Sequence, residues 1–206
     1  MKRIAVLASG RGSNFQAILD ALAAGKINGE IVALLTDNRD AYAIERADAA
    51  GIPAIVLNYK DYPSKEAYER DLLTTMQDVC ADLFVCAGYM RIIGSGIARE
   101  FSGKMINIHP ALLPAFSGLH GQRQALEYGV KIAGCTVHFV DEGLDSGPII
   151  LQKAVEVLDD DDEDSLSERI LEQEHQAFPE AVALFCADRL TVVGRQVKIL
   201  PEANNQ

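Results

Sequence analysis

The chain has 206 residues, 49% of them hydrophobic, which is enough for one sizeable core and short for two. Its formal net charge of −11 excludes a broad nucleic-acid interface, because proteins that bind a phosphate backbone normally present a Lys- and Arg-rich face. The sequence carries neither a leader segment nor an apolar run of the ~18 residues that a membrane span needs, so we expect a cytoplasmic protein with no membrane partner.

The cysteines are also consistent with a reducing compartment. Cys80, Cys86, Cys135 and Cys186 are scattered through apolar stretches and form no C-x-x-C pair. This spacing is typical of reduced, buried thiols that pack in a core. The sequence leaves the oligomeric state open between a monomer and a homodimer.

Up to Pro110, apolar runs alternate with amphipathic segments. In chain order we predict a strand at 3–8, a helix at 13–24, a strand at 31–35, a helix at 41–50, a strand at 54–57, a helix at 64–79 capped by Ser64, a strand at 83–87, a short helix at 97–101 and a strand at 105–109. Continuously apolar strands suit a parallel sheet covered on both faces. The pattern therefore predicts an α/β fold with a doubly wound, mostly parallel, Rossmann-like sheet and ligands at the carboxyl ends of its strands.

After Pro110 the alternation becomes irregular, and we expect antiparallel additions towards the C-terminus. The predicted elements are a loop at 111–118, a helix at 121–128, strands at 136–140 and 149–157, a solvated acidic connection at 159–164, a helix reaching 185 that begins with a Ser165–Glu168 capping box, a hairpin at 191–199 and a frayed tail at 201–206. The turn-rich segment 141–148 should place Asp145 on an exposed loop. Residues 1–206 are thus predicted to form a single domain.

The first predicted strand leads into Ser9-Gly10-Arg11-Gly12-Ser13-Asn14. Glycines there let backbone N–H groups approach a ligand in front of a helix whose N-terminus favours anions, so the loop could hold a phosphate. It departs from a dinucleotide fingerprint, because Phe15 occupies the place of the third glycine, and it lacks the Lys of a Walker A loop. A tight strand-to-helix turn with Ser13 as its cap is the alternative.

Three polar residues suggest chemistry on a carbonyl group. Asn107 and His109 lie two apart on one predicted strand, so their side chains should share a face, and Asp145 follows in the Gly-rich turn. N–H donors aimed at one oxygen suit a tetrahedral intermediate, in which an attacked carbonyl oxygen gains negative charge. The alternative is that the Asn and His are satisfied by local backbone.

Four ordered motifs resemble the phosphoribosylglycinamide formyltransferase family across almost the whole chain: the segment from Ser9 to Asn14, Ala87-Gly88-Tyr89-Met90-Arg91-Ile92-Ile93, Asn107-Ile108-His109-Pro110-Ala111-Leu112-Leu113-Pro114 and Leu144-Asp145-Ser146-Gly147-Pro148-Ile149. The resemblance implies a folate enzyme of purine biosynthesis that moves a formyl group from 10-formyltetrahydrofolate to the amine of glycinamide ribonucleotide. It also implies that residues 1–100 carry the phosphate and nucleotide site and residues 101–206 the folate-binding and catalytic part.

The resemblance assigns residues to two substrates. It implies that the ribonucleotide is bound by Gly12, Ser13, Asn14 and Glu174. It implies that the folate is bound by Lys65, Met90, Arg91, Ile92, Ile93, Asn107, Asp141, Glu142, Gly143, Leu144 and Asp145. Lys65 stands where family members often carry Arg, and as a point charge it cannot form the same bidentate fork. Ala111, Gly121 and Gln122 also depart from the commonest family pattern.

The chemistry of formyl transfer gives the three polar residues roles. We expect the Asn107 amide and a protonated His109 to stabilise the oxyanion, with His109 then protonating the leaving folate nitrogen. Asp145 would favour the imidazolium and relay the proton of the amine, directly or through water. His120, His138 and His175 are compatible with either pocket-shaping or structural roles. No metal is expected, since the four histidines lack ligand spacing and the family requires none.

The sequence leaves three alternative functions: a related hydrolase, a related transferase and a nucleotide-binding module. Formyltetrahydrofolate deformylase shares the Asn-x-His and Leu-Asp-x-Gly-Pro features but normally has a further N-terminal domain, for which we expect no room here. Methionyl-tRNA formyltransferase needs a tRNA-binding domain, and the acidic chain would repel RNA. A non-catalytic nucleotide-binding module would explain the Gly12 loop and leave the other three residues converging by chance.

Overall fold

A computed structural model describes residues 1–202, which form one nine-stranded sheet with helices on both faces. The strands are β1 (Lys2–Leu7), β2 (Gly29–Thr36), β3 (Ala54–Val56), β4 (Leu83–Cys86), β5 (Met105–His109), β6 (Ile132–Phe139), β7 (Ile149–Glu156), β8 (Leu190–Val193) and β9 (Gln196–Ile199). The helices are α1 (Ser13–Ala23), α2 (Ala43–Ala49), α3 (Lys65–Val79), α4 (Ser95–Glu100), α5 (Gly121–Tyr128) and α6 (Glu163–Cys186), with a short 3-10 helix at Tyr59–Asp61.

The strand order is β3-β2-β1-β4-β5-β6-β7-β9-β8. The first five strands are parallel, β6 runs antiparallel between β5 and β7, and β8 and β9 form an antiparallel hairpin at the edge. The chain leaves β1 in one direction for β2 and β3 and then returns to the other side of β1 as β4. The doubly wound fold with antiparallel C-terminal additions is therefore confirmed, and its switch point lies between β1 and β4.

Two apolar layers hold the sheet between its helices. In β1, Ile4 and Val6 pack into the layer under α1, α2 and α6, whereas Ala5 and Leu7 pack into the layer under α3 and α4. All four side chains are fully buried, because alternate residues of a strand point to opposite faces. This explains why the strand reads as one continuous apolar run.

The start of α6 differs from the sequence prediction. The N-cap is Asp162, whose carboxylate accepts the Ser165 N–H at 2.8 Å while the Asp162 N–H donates to the Ser165 hydroxyl at 3.0 Å. The prediction of a Ser165–Glu168 box was wrong because Ser165 already stands at the third helical position. The acidic connection is also not wholly solvated, since the Asp161 side chain is only 2% exposed and pairs with Arg169.

Several smaller differences concern single elements. Cys80 is exposed at the end of α3, so the prediction that all four thiols are buried was wrong at that residue. β6 starts at Ile132, earlier than predicted, because pairing with β7 extends through Ala133 and Gly134, whose small side chains gave no strand signal. Residues 203–206 of the predicted tail lie outside the described residues.

No helix formed by residues 1–202 combines the length and the hydropathy that crossing a bilayer demands.

Candidate active site

β5 delivers two polar side chains at its carboxyl end. Asn107 and His109 are the third and fifth residues of the strand, and Pro110 ends it by removing an N–H donor. In the antiparallel pairing with β6, Asn107 lies opposite His138 and His109 lies opposite Thr136. The expected common face of Asn107 and His109 is thus extended by a third polar side chain from the neighbouring strand.

The His109 imidazole lies between two acceptors. Its Nδ1 is 3.4 Å from Asp145 Oδ2, and its Nε2 is 2.8 Å from the Phe116 carbonyl oxygen. The side chain is only 6% exposed. A carbonyl oxygen can only accept, so Nε2 carries a proton and donates to Phe116. Nδ1 then faces the Asp145 carboxylate within ion-pair distance.

Asp145 is on the predicted β6–β7 loop, which is exposed at residues 142–144, but its own side chain is turned away from solvent. Its side chain is 11% exposed and points inward, where Oδ2 accepts the Gly118 N–H at 2.8 Å. The residue adopts a left-handed backbone with φ 49°, which Asp tolerates better than most residues. This conformation turns the carboxylate from the loop towards His109.

His138 completes the cluster and is the residue whose role the sequence left open. Its Nδ1 is 2.9 Å from the Phe139 carbonyl oxygen, and its Nε2 is 3.3 Å from Asn107 Nδ2 and 3.7 Å from Asp145 Oδ1. Burial lowers the pKa of His138, against the smaller raising effects of the Phe139 hydrogen bond and the Asp145 charge. A neutral ring with its proton on Nδ1 accepts one Asn107 N–H and leaves the second amide hydrogen for a ligand.

The loop between β1 and α1, called the Gly12 loop, leads into the helix through a glycine in a left-handed conformation. Gly12 is the N-cap of α1 in a left-handed conformation, φ 67°, and Ser13 is the first helical residue. The alternative in which the Ser13 side chain caps the helix is therefore wrong, because that side chain lies inside the first turn. Ser9 joins the loop to the segment after β4, since its hydroxyl accepts the Met90 N–H at 2.8 Å.

A buried carboxylate faces this loop from α6. Asn14 Nδ2 donates to Glu174 Oε2 at 2.7 Å, and both residues are buried. Burial raises the pKa of Glu174, and the Asn14 hydrogen bond lowers it by less. Asn14 Oδ1 is buried with no hydrogen-bond partner among the described residues. A ligand with a hydroxyl donor would supply the missing bond.

A cavity of about 240 Å³, here called the Tyr68 cavity, lies between α3 and the segment after β4. Its walls include Tyr68 and the five predicted residues Lys65, Met90, Arg91, Ile92 and Ile93. Met90 and Ile92 are 66% and 65% exposed, and exposed apolar side chains at a groove are typical of a binding site for an apolar ligand.

Charged side chains border the Tyr68 cavity. Arg91 pairs with the buried Asp37 at 2.7 Å and stacks over the Tyr59 ring at 3.9 Å, so its guanidinium is held in place. Lys65 lies 3.4 Å from Glu69 and is half exposed. Neither Asn107, His109 nor Asp145 lines this cavity, so the structure brings five of the eleven predicted folate residues together there and leaves the other six outside it.

The remaining predicted residues are in the β6–β7 loop. Asp141 accepts the Gly143 N–H at 3.1 Å and the Ser146 hydroxyl at 2.6 Å, which closes the loop on itself. Glu142 pairs with Arg99 of α4 at 2.6 Å. Leu144 is exposed, and the loop thus presents an apolar side chain next to the inward Asp145.

A second cavity, the α1–α6 groove, has a volume of about 910 Å³ and is bordered by Ser13, Arg46 and His175. The groove adjoins the Gly12 loop and not the His109 cluster. Its larger volume is therefore no evidence about where a reaction takes place. Within residues 1–202, no three His, Cys, Asp or Glu side chains converge as ligands for a metal ion.

Comparison with known proteins extends these observations. A profile of the family described as formyl transferase matches residues 2–182. Phosphoribosylglycinamide formyltransferase of Escherichia coli strain K12 is 43% identical over 187 residues, which cover 91% of this chain and 88% of that protein. The trifunctional purine biosynthetic protein adenosine-3 of Drosophila melanogaster is 46% identical over 207 residues, and the chain spans only 15% of its length.

Solved structures with similar folds include proteins of the same kind. A glycinamide ribonucleotide transformylase of Symbiobacterium toebii is 50% identical, with a TM-score of 0.94 and coverage of 98% of this chain and 95% of that one. A formyltetrahydrofolate deformylase of Pseudomonas syringae pv. tomato has a TM-score of 0.90 at 26% identity, covering 97% of this chain and 66% of that one. The deformylase shares the fold at a markedly lower sequence identity.

Proposed function

The chain belongs to the formyl transferase family, and we propose that it transfers a formyl group from 10-formyltetrahydrofolate to the amine of glycinamide ribonucleotide. The products are formylglycinamide ribonucleotide and tetrahydrofolate, as in de novo purine biosynthesis. The observation that carries the proposal is the convergence of Asn107, His109 and Asp145 at the end of β5, where Asp145 pairs with His109 and His138 contacts both Asn107 and Asp145.

The acceptor's phosphate binds at the N-terminus of α1 in this proposal. Gly12, Ser13 and Asn14 supply backbone N–H groups, and the helix dipole favours an anion there. The Glu174 carboxylate and the unpaired Asn14 Oδ1 accept hydroxyl hydrogen bonds from the ribose. The left-handed Gly12 backbone at the start of α1 and the buried Asn14–Glu174 pair support this assignment.

The folate occupies the Tyr68 cavity. Lys65, Met90, Arg91, Ile92 and Ile93 border it, and apolar exposed side chains beside a held guanidinium suit a ligand with a flat ring and acidic groups. Asp141, Glu142, Gly143 and Leu144 then cover the folate from the β6–β7 loop. Asn107 and Asp145 face its formyl end.

Formyl transfer proceeds through attack of the neutral acceptor amine on the formyl carbon. The new C–N bond places negative charge on the formyl oxygen, and the free Asn107 N–H and the His109 imidazolium stabilise it. The C–N10 bond of the folate then breaks as His109 protonates the leaving nitrogen. Asp145 holds the imidazolium and takes up the amine proton, directly or through water. His109 Nε2 donates to the Phe116 carbonyl oxygen, so in this mechanism its proton reaches the substrate once this contact is released.

The proposal also covers organisation and location. Residues 1–100 carry the phosphate site and residues 101–206 the catalytic groups and much of the folate site, as parts of one domain 1–206. We place the protein in the cytoplasm, supported by four unpaired cysteines, three of which are buried.

Mixing the purified protein with 10-formyltetrahydrofolate, with and without glycinamide ribonucleotide, tests the proposal. We expect a change in folate absorbance only when the acceptor is present. Loss of the formyl group without acceptor would assign the deformylase reaction. Tight nucleotide binding with no formyl loss would assign the non-catalytic module.

Substitutions test the assigned groups in the same assay. Asn107→Ala should lower kcat about 10²- to 10³-fold by removing one oxyanion donor, and His109→Ala about 10²- to 10⁴-fold by removing the proton donor. Asp159→Asn, at a 95% exposed side chain, is the control and should keep wild-type turnover. Near-normal turnover of either site variant would contradict its role.

A further inference from the structure

Arg46 of α2 contacts the Gly12 loop, which runs from Ser9 to Asn14, and the first turn of α1. Its Nε donates to the Arg11 carbonyl oxygen at 2.8 Å, and its Nη1 donates to Gln16 Oε1 at 2.9 Å. The guanidinium also lies over the Tyr42 ring, 5.0 Å from its centroid. One side chain thus joins three elements: the loop, the first turns of α1 and the start of α2. No sequence motif of the formyltransferase resemblance includes it.

The loop is also packed against α2 through its backbone. The Ala43 N–H donates to the Gly10 carbonyl oxygen at 3.0 Å. A Cβ added at Gly12 would lie 2.9 Å from the Ala43 Cβ and 3.5 Å from the Arg46 Cδ. α2 therefore contacts two successive carbonyls and the glycine that follows them.

This arrangement fixes the direction of two amides. In a planar trans peptide the C=O and the following N–H point in opposite directions. Because the Gly10 and Arg11 carbonyls point at α2, the Arg11 and Gly12 N–H groups point away from it. Within residues 1–202 neither N–H has an acceptor. The loop is thus preorganised with outward donors, as an anion site requires.

Charge acts in the same direction. The chain carries a net charge of −11, so a phosphorylated acceptor meets overall repulsion and depends on local positive charge. The Arg46 guanidinium contacts the loop backbone, and within residues 1–202 no carboxylate forms a salt bridge with it. A lysine could keep the charge but could not reach two acceptors with a rigid fork.

We infer that Arg46 is a positioning residue for the acceptor's phosphate: it orients the Arg11 and Gly12 amides and supplies positive charge behind them. The inference rests on the proposed function for the identity of the acceptor. It goes beyond that function in assigning selectivity for a phosphorylated acceptor to a residue outside the phosphate loop itself.

The test compares glycinamide ribonucleotide with its 5′-dephosphorylated riboside. Arg46→Gln should raise the KM for the ribonucleotide about tenfold to a hundredfold, while the KM for the folate and kcat change by less than about threefold. The kcat/KM for the riboside should be unchanged, because no phosphate is present to be oriented. Arg46→Lys should fall between the wild type and Arg46→Gln, and the exposed Arg70→Gln is the control.

Binding of ribose 5-phosphate, measured by calorimetry, gives a readout without turnover. It should weaken about tenfold or more in Arg46→Gln. An unchanged ribonucleotide KM, or an equal loss with both acceptors, would overturn the inference. If Arg46→Gln does not fold, the same comparison with Arg46→Lys decides. A wild type without acceptor-dependent turnover counts against the proposed function, and the ribose 5-phosphate titration then still decides the role of Arg46.

Discussion

At the scale of one residue, Glu174 combines a proposed role in acceptor binding with an energetic cost. Its carboxylate is 7% exposed and has one strong donor, Asn14, while a carboxylate can accept several hydrogen bonds. The group is thus incompletely satisfied until a ligand binds. Sites of this kind often trade stability for binding, because the polar groups that recognise a ligand are left without partners in the free protein.

Replacing Glu174 by Gln should therefore have opposite effects on stability and binding. Burial raises the Glu174 pKa above its ordinary value of 4.5, so the native state binds this proton more tightly than the unfolded chain does. Its contribution to stability is fully present below the unfolded pKa and is lost as pH rises through the native pKa. The Tm gain of Glu174→Gln should thus be small at acid pH and grow towards neutrality, while its acceptor KM rises about tenfold or more.

Thermal unfolding over a pH series and steady-state kinetics check both effects. Glu172→Gln, on the exposed side of the same helix, is the control and should show neither. A Tm difference that does not vary with pH would contradict the role of burial.

At the scale of elements, the start of α6 determines where Glu174 lies. The Asp162–Ser165 capping box satisfies the first N–H groups, and Arg169 pairs with Asp161 at 2.7 and 2.8 Å while donating to the Glu156 carbonyl of β7 at 3.0 Å. The Arg169 hydrogen bond also lowers the pKa of Asp161. The helix is thus anchored to the sheet before it reaches the site.

Removing the cap should weaken this anchor. Asp162→Ala should lower the free energy of unfolding by about 0.5–2 kcal/mol, since an N-cap carboxylate that binds a backbone N–H is lost. Denaturant titration measures the change, with the exposed Asp160→Ala as the matched control. A loss of less than a few tenths of a kcal/mol would contradict the capping role of Asp162, and an equal loss in the control would assign the effect to the lost negative charge near the helix N-terminus.

At the scale of the molecule, the two-layer core controls the reactivity of the thiols. Cys86, Cys135 and Cys186 are buried, and burial raises their pKa to about 12, about 12 and about 11. The thiolate is the reactive form, so these groups are both inaccessible and protonated near neutrality. Cys80 alone is exposed, at the end of α3.

Titration with a disulfide reagent at neutral pH should therefore detect one fast thiol in the native protein. The Cys80→Ser variant should lose this fast phase, and all four wild-type thiols should react after unfolding in denaturant. A fast phase that persists in Cys80→Ser would mean that the core opens more readily than its packing indicates.

The sequence by itself determined most of the elements and the doubly wound sheet, because burial imposes hydrophobic periods, and it paired Asn107 with His109, because the two share a strand. Most of the other candidate site residues came from the resemblance to a known family. Tertiary structure decided the contacts between distant segments. The turn of Asp145 towards His109, the His138–Asn107 bond across two strands and the grip of Arg46 on the Arg11 carbonyl all depend on strand register and helix packing. Local sequence patterns do not predict these contacts, because each one joins residues that are far apart in the chain.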